Sequence, residues 1–256
     1  MRLDKYITER FNLKSRQYAQ TLIKENCVFI DGAVINKASA EVFGYENIEI
    51  NDYLAYVGRG GLKLEKALNV FSIDVGGMTA MDIGASTGGF TDCLLQNGAE
   101  KVYAIDVGHD QLADKLRNDS RVVNLENTNI KDINPSEFDN INIIVVDVSF
   151  ISLGKIASSI ALFKPDILIC LIKPQFENAK TNKNGIVKDK SQYKSVISSV
   201  AESFSQVGLY ISGLTVSPIK GGDGNVEFLS CFSKEKGIVP VSELIRSVME
   251  KEDFKF

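Results

Sequence analysis

The sequence predicts an α/β protein, in which a small α+β unit precedes a mostly parallel sheet that is covered by helices on both faces. From Met78 onward, strongly apolar runs alternate with segments of helical periodicity. Strands this uniformly apolar are typical of parallel sheets that helices bury on both sides. Residues 1–57 instead combine two short amphipathic helices with a hairpin signal. The chain therefore divides into two units of different architecture.

The first unit begins with two predicted helices. One runs from about Leu3 to Glu9, and the other from Arg16 to Asn26 with Ser15 as its N-cap. Their apolar faces are Leu3, Ile7 and Phe11 in the first helix and Ala19, Leu22 and Ile23 in the second. Asp31-Gly32 separates two β-branched runs, which is a strong signal for a β-hairpin. So short a unit buries little apolar area by itself.

Residues 58–61, Gly-Arg-Gly-Gly, form the predicted linker, and residues 62–256 form the second unit. This unit opens with a predicted helix, LKLEKALNVF. Seven strands follow: TAMDIG, KVYAID, RVVNLE, INIIVVDV, DILICLIK, LYISGLTVSP and NVEFLSCF. The last two are joined by a glycine-rich turn rather than a helix, so we expect them to pair antiparallel at one edge of the sheet.

The charge of the chain is distributed unevenly. The net charge is −4 at pH 7, yet residues 1–40 hold seven basic residues against four acidic ones. The basic residues are Arg2, Lys5, Arg10, Lys14, Arg16, Lys24 and Lys37, and the acidic ones are Asp4, Glu9, Glu25 and Asp31. A basic end on an acidic body indicates a segment that binds nucleic acid. A solvated helix face explains the same charges equally well.

Other features of the composition exclude several classes of protein. The four cysteines are scattered without a C-x-x-C pair, which gives no support for a disulfide framework or a zinc site. The charged, amphipathic start is unlike a signal peptide. No apolar run approaches the roughly 18 residues that a membrane span needs. We therefore expect a cytoplasmic protein without a metal centre.

Residues 81–90, MDIGASTGGF, fit three glycine signatures. In the first, G-x-S-x-G from Gly84 would make Ser86 the nucleophile of a hydrolase. That interpretation needs a histidine late in the chain to take the proton from Ser86. The single histidine is His109, only 23 residues past Ser86, so the hydrolase interpretation is poorly supported. The dinucleotide and S-adenosylmethionine signatures share their physics, because both bring small residues and a helix N-terminus close to a ligand. Incidental glycines in an α/β loop are the remaining alternative.

Asp82 favours one of the two cofactors. A carboxylate at the end of the loop's own strand repels a pyrophosphate but tolerates a sulfonium and an ammonium, which favours S-adenosylmethionine. In either case an acid ending the next strand, here Asp106, would accept hydrogen bonds from ribose hydroxyls.

Three further polar residues, Asp147, Lys173 and Glu227, lie at predicted strand ends. Ligands of open α/β sheets bind at the carboxyl ends of the strands. A salt bridge or a snorkelling side chain explains each residue alone. Three such residues on neighbouring strands, facing a predicted cofactor loop, point to an active site.

Several motifs together resemble one known family. GASTGGFTD, DVSFISL, LIKPQFE and GNVEF, with GRGGLK upstream and RLDKYI, KSRQYA and VFIDG at the start, resemble the TlyA (haemolysin A) family of ribosomal RNA 2′-O-methyltransferases over essentially the whole chain. The resemblance implies a Rossmann-like class I S-adenosylmethionine methyltransferase sheet with an antiparallel edge strand, similar to the FtsJ/RrmJ-like group. It also implies a front RNA-binding domain like that shared by small-subunit ribosomal protein S-four and pseudouridine synthases.

The resemblance carries over a set of site residues. The family's catalytic Lys-Asp-Lys-Glu tetrad falls on Lys63, Asp147, Lys173 and Glu227. Lys173 would be the general base or would stabilise the developing alkoxide, while the other three orient it and the sugar. Cofactor contacts are expected from Asp82, Gly84, Ser86, Gly88 and Asp106, with Thr128-Asn129 near the adenine. RNA contacts are expected from Arg2, Arg16, Lys37, Arg59 and Phe150, although Phe150 is equally explained as a core residue.

The implied activity is 2′-O-methylation of a cytidine in ribosomal RNA, with S-adenosylmethionine as cofactor and no metal. The short ends of the chain favour 23S rRNA, with 16S rRNA as a second candidate. Two alternatives remain at this point. One is a membrane-active haemolysin, and the other is a non-catalytic RNA-binding protein on a methyltransferase fold.

Overall fold

The structure, a computed structural model, describes residues 1–13, 15–24, 26–50, 55–222 and 224–251. Lys14 and Glu25, which contribute to the charge count above, lie outside these residues, as do parts of both predicted units. The chain divides between Arg59 and Gly60 into two compact units.

The first unit packs two helices against a three-stranded antiparallel sheet. The helices are α1 (Leu3–Arg10) and α2 (Arg16–Lys24), and the strands are β1 (Val28–Ile30), β2 (Ala33–Val34) and β3 (Ile48–Ile50), in the order β2-β1-β3. The backbone amide of Tyr18 donates to the Ser15 hydroxyl, which confirms the predicted N-cap. Asp31 and Gly32 both have positive φ, as the two-residue turn between β1 and β2 requires.

The core of this unit contains the predicted apolar faces with one exception. Leu3, Ile7, Ala19, Leu22 and Ile23 are fully buried. Phe11 is not part of that face, because α1 ends at Arg10 and the chain turns away from the helical path there. The sequence interpretation of Phe11 was therefore wrong.

The second unit is a seven-stranded sheet with helices on both faces. Its helices are α3 (Gly60–Phe71), α4 (Gly89–Gln96), α5 (Asp114–Arg117), α6 (Ala157–Ala161), α7 (Ser191–Ser205) and α8 (Val241–Lys251). Its strands are β4 (Thr79–Ile83), β5 (Lys101–Ile105), β6 (Val122–Leu125), β7 (Ile143–Val146), β8 (Ile167–Ile172), β9 (Tyr210–Val216) and β10 (Phe228–Ser233). Helix α3 begins two residues earlier than predicted, so Gly60 and Gly61 of the predicted linker form its first turn.

The strand order is β6-β5-β4-β7-β8-β10-β9. All neighbours from β6 to β8 pair parallel, whereas β10 pairs antiparallel with both β8 and β9. The last two strands, β9 and β10, therefore pair antiparallel as predicted. The strand that runs opposite to the others is β10, which lies between β8 and the edge strand β9 and not at the edge itself. Strands β7 and β8 are almost wholly buried, which explains their uniformly apolar sequences.

Among the described helices, none is long and apolar enough to cross a membrane. A search of the same residues also finds no cluster of three or more histidine, cysteine or acidic side chains able to hold a metal ion. The four cysteines are buried free thiols.

Candidate active site

The predicted strand-end residues meet at one edge of the sheet. In the parallel strands, β7 leads directly to Asp147 and β8 to Lys173. Because β10 runs the other way, Glu227 precedes its first residue at this same edge. Phe228 pairs with Ile172, so the next position in this antiparallel register places Glu227 opposite Lys173. The strand order reverses between β4 and β7, where open α/β sheets bind ligands.

The glycine loop after β4 passes close to β7. A Cβ added to Gly84 would lie 2.6 Å from the carbonyl oxygen of Asp147, and Gly84 has a φ of +87°. Ser86 also has positive φ, which is uncommon for a residue with a side chain. The amides of Gly84 and Ala85 both donate to the Ile105 carbonyl at the end of β5. The loop is thus held against two strands with its backbone exposed to the cleft.

Asp82 is a buried carboxylate beneath this loop. Its Oδ2 accepts a hydrogen bond from the Thr91 hydroxyl at 2.7 Å, and its Oδ1 has no hydrogen-bond partner. Burial raises the pKa of Asp82 to about 7, and the nearby charges of Asp147 and Asp106 add to this effect while Thr91 opposes it. A cation near Oδ1 would supply the missing contact and would balance the negative charge of the carboxylate.

Asp106 organises the two loops that flank the cleft. One carboxylate oxygen accepts from the Ser86 amide at 2.7 Å and the other from the Gly108 amide at 2.6 Å. The Ser86 hydroxyl donates to Gln111 at 3.2 Å. Each carboxylate oxygen can accept a second hydrogen bond, so Asp106 remains able to bind hydroxyl groups.

A cleft of about 420 Å³ opens along these residues. Its lining includes Gly84, Ser86, Asp106, Asn129, Asp147 and Phe150. The volume lies within the range of small-molecule sites in proteins. Asp82 and Gly88 do not line the cleft. Gly88 instead begins α4 with positive φ, and a Cβ there would collide with Leu116 and Leu112, so its role is in packing.

The four residues of the predicted tetrad form two ion pairs. Lys63 Nζ lies 2.7 Å from Glu227 Oε2, and Lys173 Nζ lies 2.5 Å from Asp147 Oδ1. Lys173 also donates to the Ser149 hydroxyl at 2.9 Å. Lys63, Lys173 and Glu227 are all buried. Burial of Asp147 would raise its pKa, but the charges of Lys173 and Lys63 outweigh burial and hold that pKa below its ordinary value.

Phe150 is not a core residue. Its side chain is 90% exposed, and its φ of +64° is strained for a bulky residue. Its ring lies 4.9 Å from that of Phe176, in the segment after Lys173. An exposed aromatic ring at the mouth of the cleft is suited to stacking on a base.

The remaining predicted RNA contacts belong to the first unit. Arg2 and Arg16 both bind the buried carboxylate of Asp4, at 2.9 and 3.0 Å, and about half of each side chain remains exposed. Lys37 is exposed and precedes Ala38, whose carbonyl accepts from the Asp4 amide. Arg2 and Arg16 therefore lie at the N-terminus of α1, and the backbone next to Lys37 also contacts it. Arg59 is the last residue of this unit and does not belong to that group.

Several contributing residues are absent from the sequence-based set. Thr91 binds Asp82, Gln111 binds Ser86, and Glu177 binds the loop that carries Phe150. Their contacts join segments that are 9 to 25 residues apart. Such cross-loop hydrogen bonds leave no periodic pattern by which the sequence alone could identify them.

Comparison with known proteins gives consistent matches for both units. A family model described as "FtsJ-like methyltransferase" matches residues 56–234, and one described as "S4 domain" matches residues 1–42. Among individual relatives, Hemolysin A from Brachyspira hyodysenteriae is 45% identical over 238 residues, which cover 91% of this chain and 99% of the relative.

Two further similarities extend over most of the chain. The 16S/23S rRNA (cytidine-2′-O)-methyltransferase TlyA of Mycobacterium tuberculosis is 38% identical over 234 residues, covering 89% of this chain and 87% of the relative. A solved structure of a candidate hemolysin from Streptococcus thermophilus matches with a TM-score of 0.76 and 37% identity, covering 98% of this chain and 96% of that one.

Proposed function

Because this chain belongs to the FtsJ-like methyltransferase family and carries an S4 domain, we propose that it methylates the ribose 2′-hydroxyl of a cytidine in ribosomal RNA, using S-adenosylmethionine. The relative from Mycobacterium tuberculosis bears the name of that reaction. The large-subunit 23S rRNA is the proposed substrate, and 16S rRNA is the second candidate. Since ribosomes are assembled in the cytoplasm, the chain would act there.

The residues around the cleft fit S-adenosylmethionine. When bound there, it would supply an electrophilic methyl group on a positively charged sulfur. Asp82 does not line the cleft, but its carboxylate, with one oxygen that lacks a hydrogen-bond partner, lies beneath the loop and would favour a cationic ligand above it. Gly84 leaves the loop backbone open, Asp106 has spare acceptor capacity for ribose hydroxyls, and Asn129 also lines the cleft. Gly88 supports the loop through its packing and would not contact the cofactor.

The two ion pairs supply the groups that act on the acceptor hydroxyl. Two roles fit Lys173. As a neutral amine it would take the proton of the ribose hydroxyl, and as an ammonium group it would stabilise negative charge on that oxygen. Asp147 and Ser149 hold its Nζ in place in either case. Lys63 and Glu227 form the second ion pair, opposite Lys173. They would limit the positions that the Lys173 side chain can take and would orient the sugar.

One observation carries this proposal: the Lys173–Asp147 ion pair lies at the end of the glycine-loop cleft, because Asp147 belongs to both. We expect Lys173→Ala to reduce methyl transfer to rRNA by at least about 100-fold. Binding of S-adenosylmethionine by calorimetry and of RNA by filter retention should stay within about twofold. Transfer at a near wild-type rate would refute the role of Lys173.

Lys173→Arg separates the two roles. A guanidinium keeps the positive charge but does not accept a proton at neutral pH. A general base therefore predicts that the Arg variant is as inactive as the Ala variant. An electrostatic stabiliser predicts that the Arg variant retains measurable transfer. Lys164→Ala is the matched control, since Lys164 is an exposed lysine that precedes β8 at the opposite edge of the sheet.

A further inference from the structure

We propose that the lysine-rich segment 180–194, which connects β8 to the first turn of α7, binds the phosphate backbone of the RNA substrate. This inference rests on the proposed function and extends RNA binding from the first unit to the methyltransferase unit. It concerns residues that take no part in the cofactor cleft or in the two ion pairs.

The segment has a concentrated positive charge on an acidic chain. Between its ends it holds five lysines and a single acidic residue, Asp189, whereas the whole chain has a net charge of −4. The lysines are Lys180, Lys183, Lys188, Lys190 and Lys194, and all five are exposed. Within the described residues, no ion pair joins Lys180, Lys183, Lys188 or Lys194 to a carboxylate. Their charges are therefore not neutralised by neighbouring groups.

Hydrogen bonds hold the segment in a defined conformation. Lys180 donates its backbone amide to the Gln192 side chain at 2.6 Å, which closes the segment onto α7. Asn182 accepts from the amides of Asn184 and Ile186, at 2.9 Å each, and forms a compact turn. Because the backbone is already ordered, binding of RNA there would cost little conformational entropy beyond that of the lysine side chains.

Asn225 ties this segment to the active-site edge. Its side chain is buried, accepts from the Val187 amide at 2.9 Å and donates to the Gly185 carbonyl at 3.0 Å. Asn225 precedes Glu227 by two residues, a Cα separation of at most about 7 Å. At its other end the segment follows Lys173 by seven residues. The backbone of the segment is thus joined to the two backbone segments that carry Lys173 and Glu227.

The chemistry of the segment favours phosphate over bases. Lysine is a compact, hydrated charge on a flexible stem, and it contacts phosphate as a point charge without reading sequence. Such charges, in a segment that is anchored next to Glu227 and follows Lys173, would align an RNA strand whose target ribose enters the site. Solvation alone would explain one or two exposed lysines, but not four exposed lysines without an ion pair to a described carboxylate in one short segment of an acidic chain.

The test compares two triple variants of the full-length chain. One is Lys180→Gln/Lys183→Gln/Lys188→Gln. The control, Lys164→Gln/Lys234→Gln/Lys236→Gln, removes the same charge near the start of β8 and the end of β10, at the opposite edge of the sheet. Binding to unmodified 23S rRNA transcribed in vitro is measured against salt concentration, together with KM and kcat for methyl transfer to the same RNA.

We expect the segment variant to raise Kd and KM for the RNA by about tenfold and to lower the salt slope of binding by about 2 to 3, since each lost phosphate contact removes a little under one unit. Its kcat and its affinity for S-adenosylmethionine should stay within about twofold of wild type. The control variant should leave all four quantities near wild type. An equal loss in both variants, or an unchanged salt slope in the segment variant, would overturn the inference.

Two further outcomes remain distinguishable. If the wild-type chain transfers no methyl group to rRNA, the proposed reaction fails, while the binding measurements still decide whether the segment contacts RNA. If the triple variant does not fold, judged by its thermal midpoint, the single charge reversal Lys183→Glu replaces it. That variant should weaken RNA binding at low salt, and unchanged binding would count against the segment.

Discussion

The carboxylate of Glu177 accepts a hydrogen bond from the Ser152 hydroxyl at 2.6 Å. Its second oxygen accepts from the Leu153 amide at 2.7 Å, so this one side chain joins the loop after β8 to the loop after β7. The second loop carries the exposed, strained Phe150. Strained residues persist only where their surroundings hold them, and Glu177 supplies part of that support.

Glu177 should therefore act as a positioning residue for Phe150. We expect Glu177→Ala to raise KM for RNA several-fold with a smaller change in kcat, because Phe150 would no longer be held at the cleft. Glu177→Gln keeps one acceptor oxygen and should be intermediate. The control is Glu202→Gln, which alters an exposed acid on α7. Steady-state kinetics at varied RNA concentration check this prediction. A purely structural role would instead lower the melting temperatures of Glu177→Ala and Glu177→Gln and leave KM for RNA unchanged.

Asp82 should make stability depend on pH in an unusual direction. Its pKa is raised to about 7 in the folded protein, against about 3.9 in an unfolded chain. The folded state therefore holds this proton more tightly, so its contribution to stability is complete below pH 4 and is lost as the pH rises through 7. Asp82→Asn does not titrate, so it should be more stable than wild type at pH 8.5, by about 1 to 3 kcal/mol, and similar to wild type at pH 4.

Thermal unfolding at the two pH values checks this, and calorimetry checks the cofactor. The same Asp82→Asn variant should lose most of its affinity for S-adenosylmethionine, because the amide has no negative charge. A variant that gains stability at high pH while keeping full affinity would show that Asp82 is buried for reasons unrelated to the cofactor.

The Lys63–Glu227 pair should be strongly interdependent. Removal of one partner leaves the other charge buried, which costs about 3 to 5 kcal/mol. We expect Lys63→Met to lower the free energy of unfolding by that order and Lys63→Met/Glu227→Leu to recover most of it. Lys234 and Asp166 form an exposed pair, so Lys234→Met should cost less than about 1 kcal/mol. Denaturant unfolding of the three variants provides the comparison, and a double variant no more stable than the single one contradicts the prediction.

Gly84 should not tolerate a side chain. Gly84 and Gly208 have similar positive φ, at +87° and +80°, but a Cβ at Gly208 would meet nothing within 4 Å. Gly208→Ala therefore measures the backbone strain alone, about 1 kcal/mol. Gly84→Ala adds a collision with the backbone of Asp147, which cannot rotate away, so we expect a loss of about 3 kcal/mol or more and a distorted cleft. Equal losses from urea titration would show that the loop moves aside freely.

Asp4 should hold the two arginines of the first unit. Hydrogen bonds from Arg2, then Gln20 and Arg16, outweigh burial and keep the pKa of Asp4 well below its ordinary value. Because the pKa is depressed in the folded state, the Asp4 carboxylate contributes to stability at pH values above about 4. That contribution is lost in acid, where the carboxylate is protonated. Asp4→Asn should therefore melt earlier than wild type at pH 7, by a margin that shrinks below pH 4. It should also bind rRNA more weakly, measured by filter retention, because the arginines lose their shared anchor.

Much of the fold could be read from the sequence because burial leaves a simple pattern. Each of the seven predicted strands is a strand of the sheet, since a strand covered on both faces is apolar throughout. The Asp31-Gly32 turn and the Ser15 cap follow from local backbone chemistry, which needs no distant partner. The start of α3 was less predictable, because the first turn of a helix uses few intrahelical hydrogen bonds and so accepts Gly60 and Gly61.

The site was predictable in its members but not in its connections. The residue types at the strand ends indicated Asp147, Lys173 and Glu227, yet the pairing of Lys63 with Glu227 joins positions 164 residues apart. Phe11 was misplaced, because helical periodicity does not show where a helix stops. Thr91 and Glu177 are ordinary residues in the sequence, and they matter only through the side chains they contact.

By itself, the sequence determined the two-unit architecture, the strands and the glycine loop, because each depends on residues that are neighbours along the chain. Tertiary structure alone decided the strand order, the pairing of four charged side chains into two ion pairs, and the unpartnered oxygen of Asp82. These features depend on which distant segments the crossovers bring together and on how much water is excluded there. The energy of two charges changes severalfold with the amount of water around them. The order of residues along the chain does not show how much water the folded protein excludes at each site.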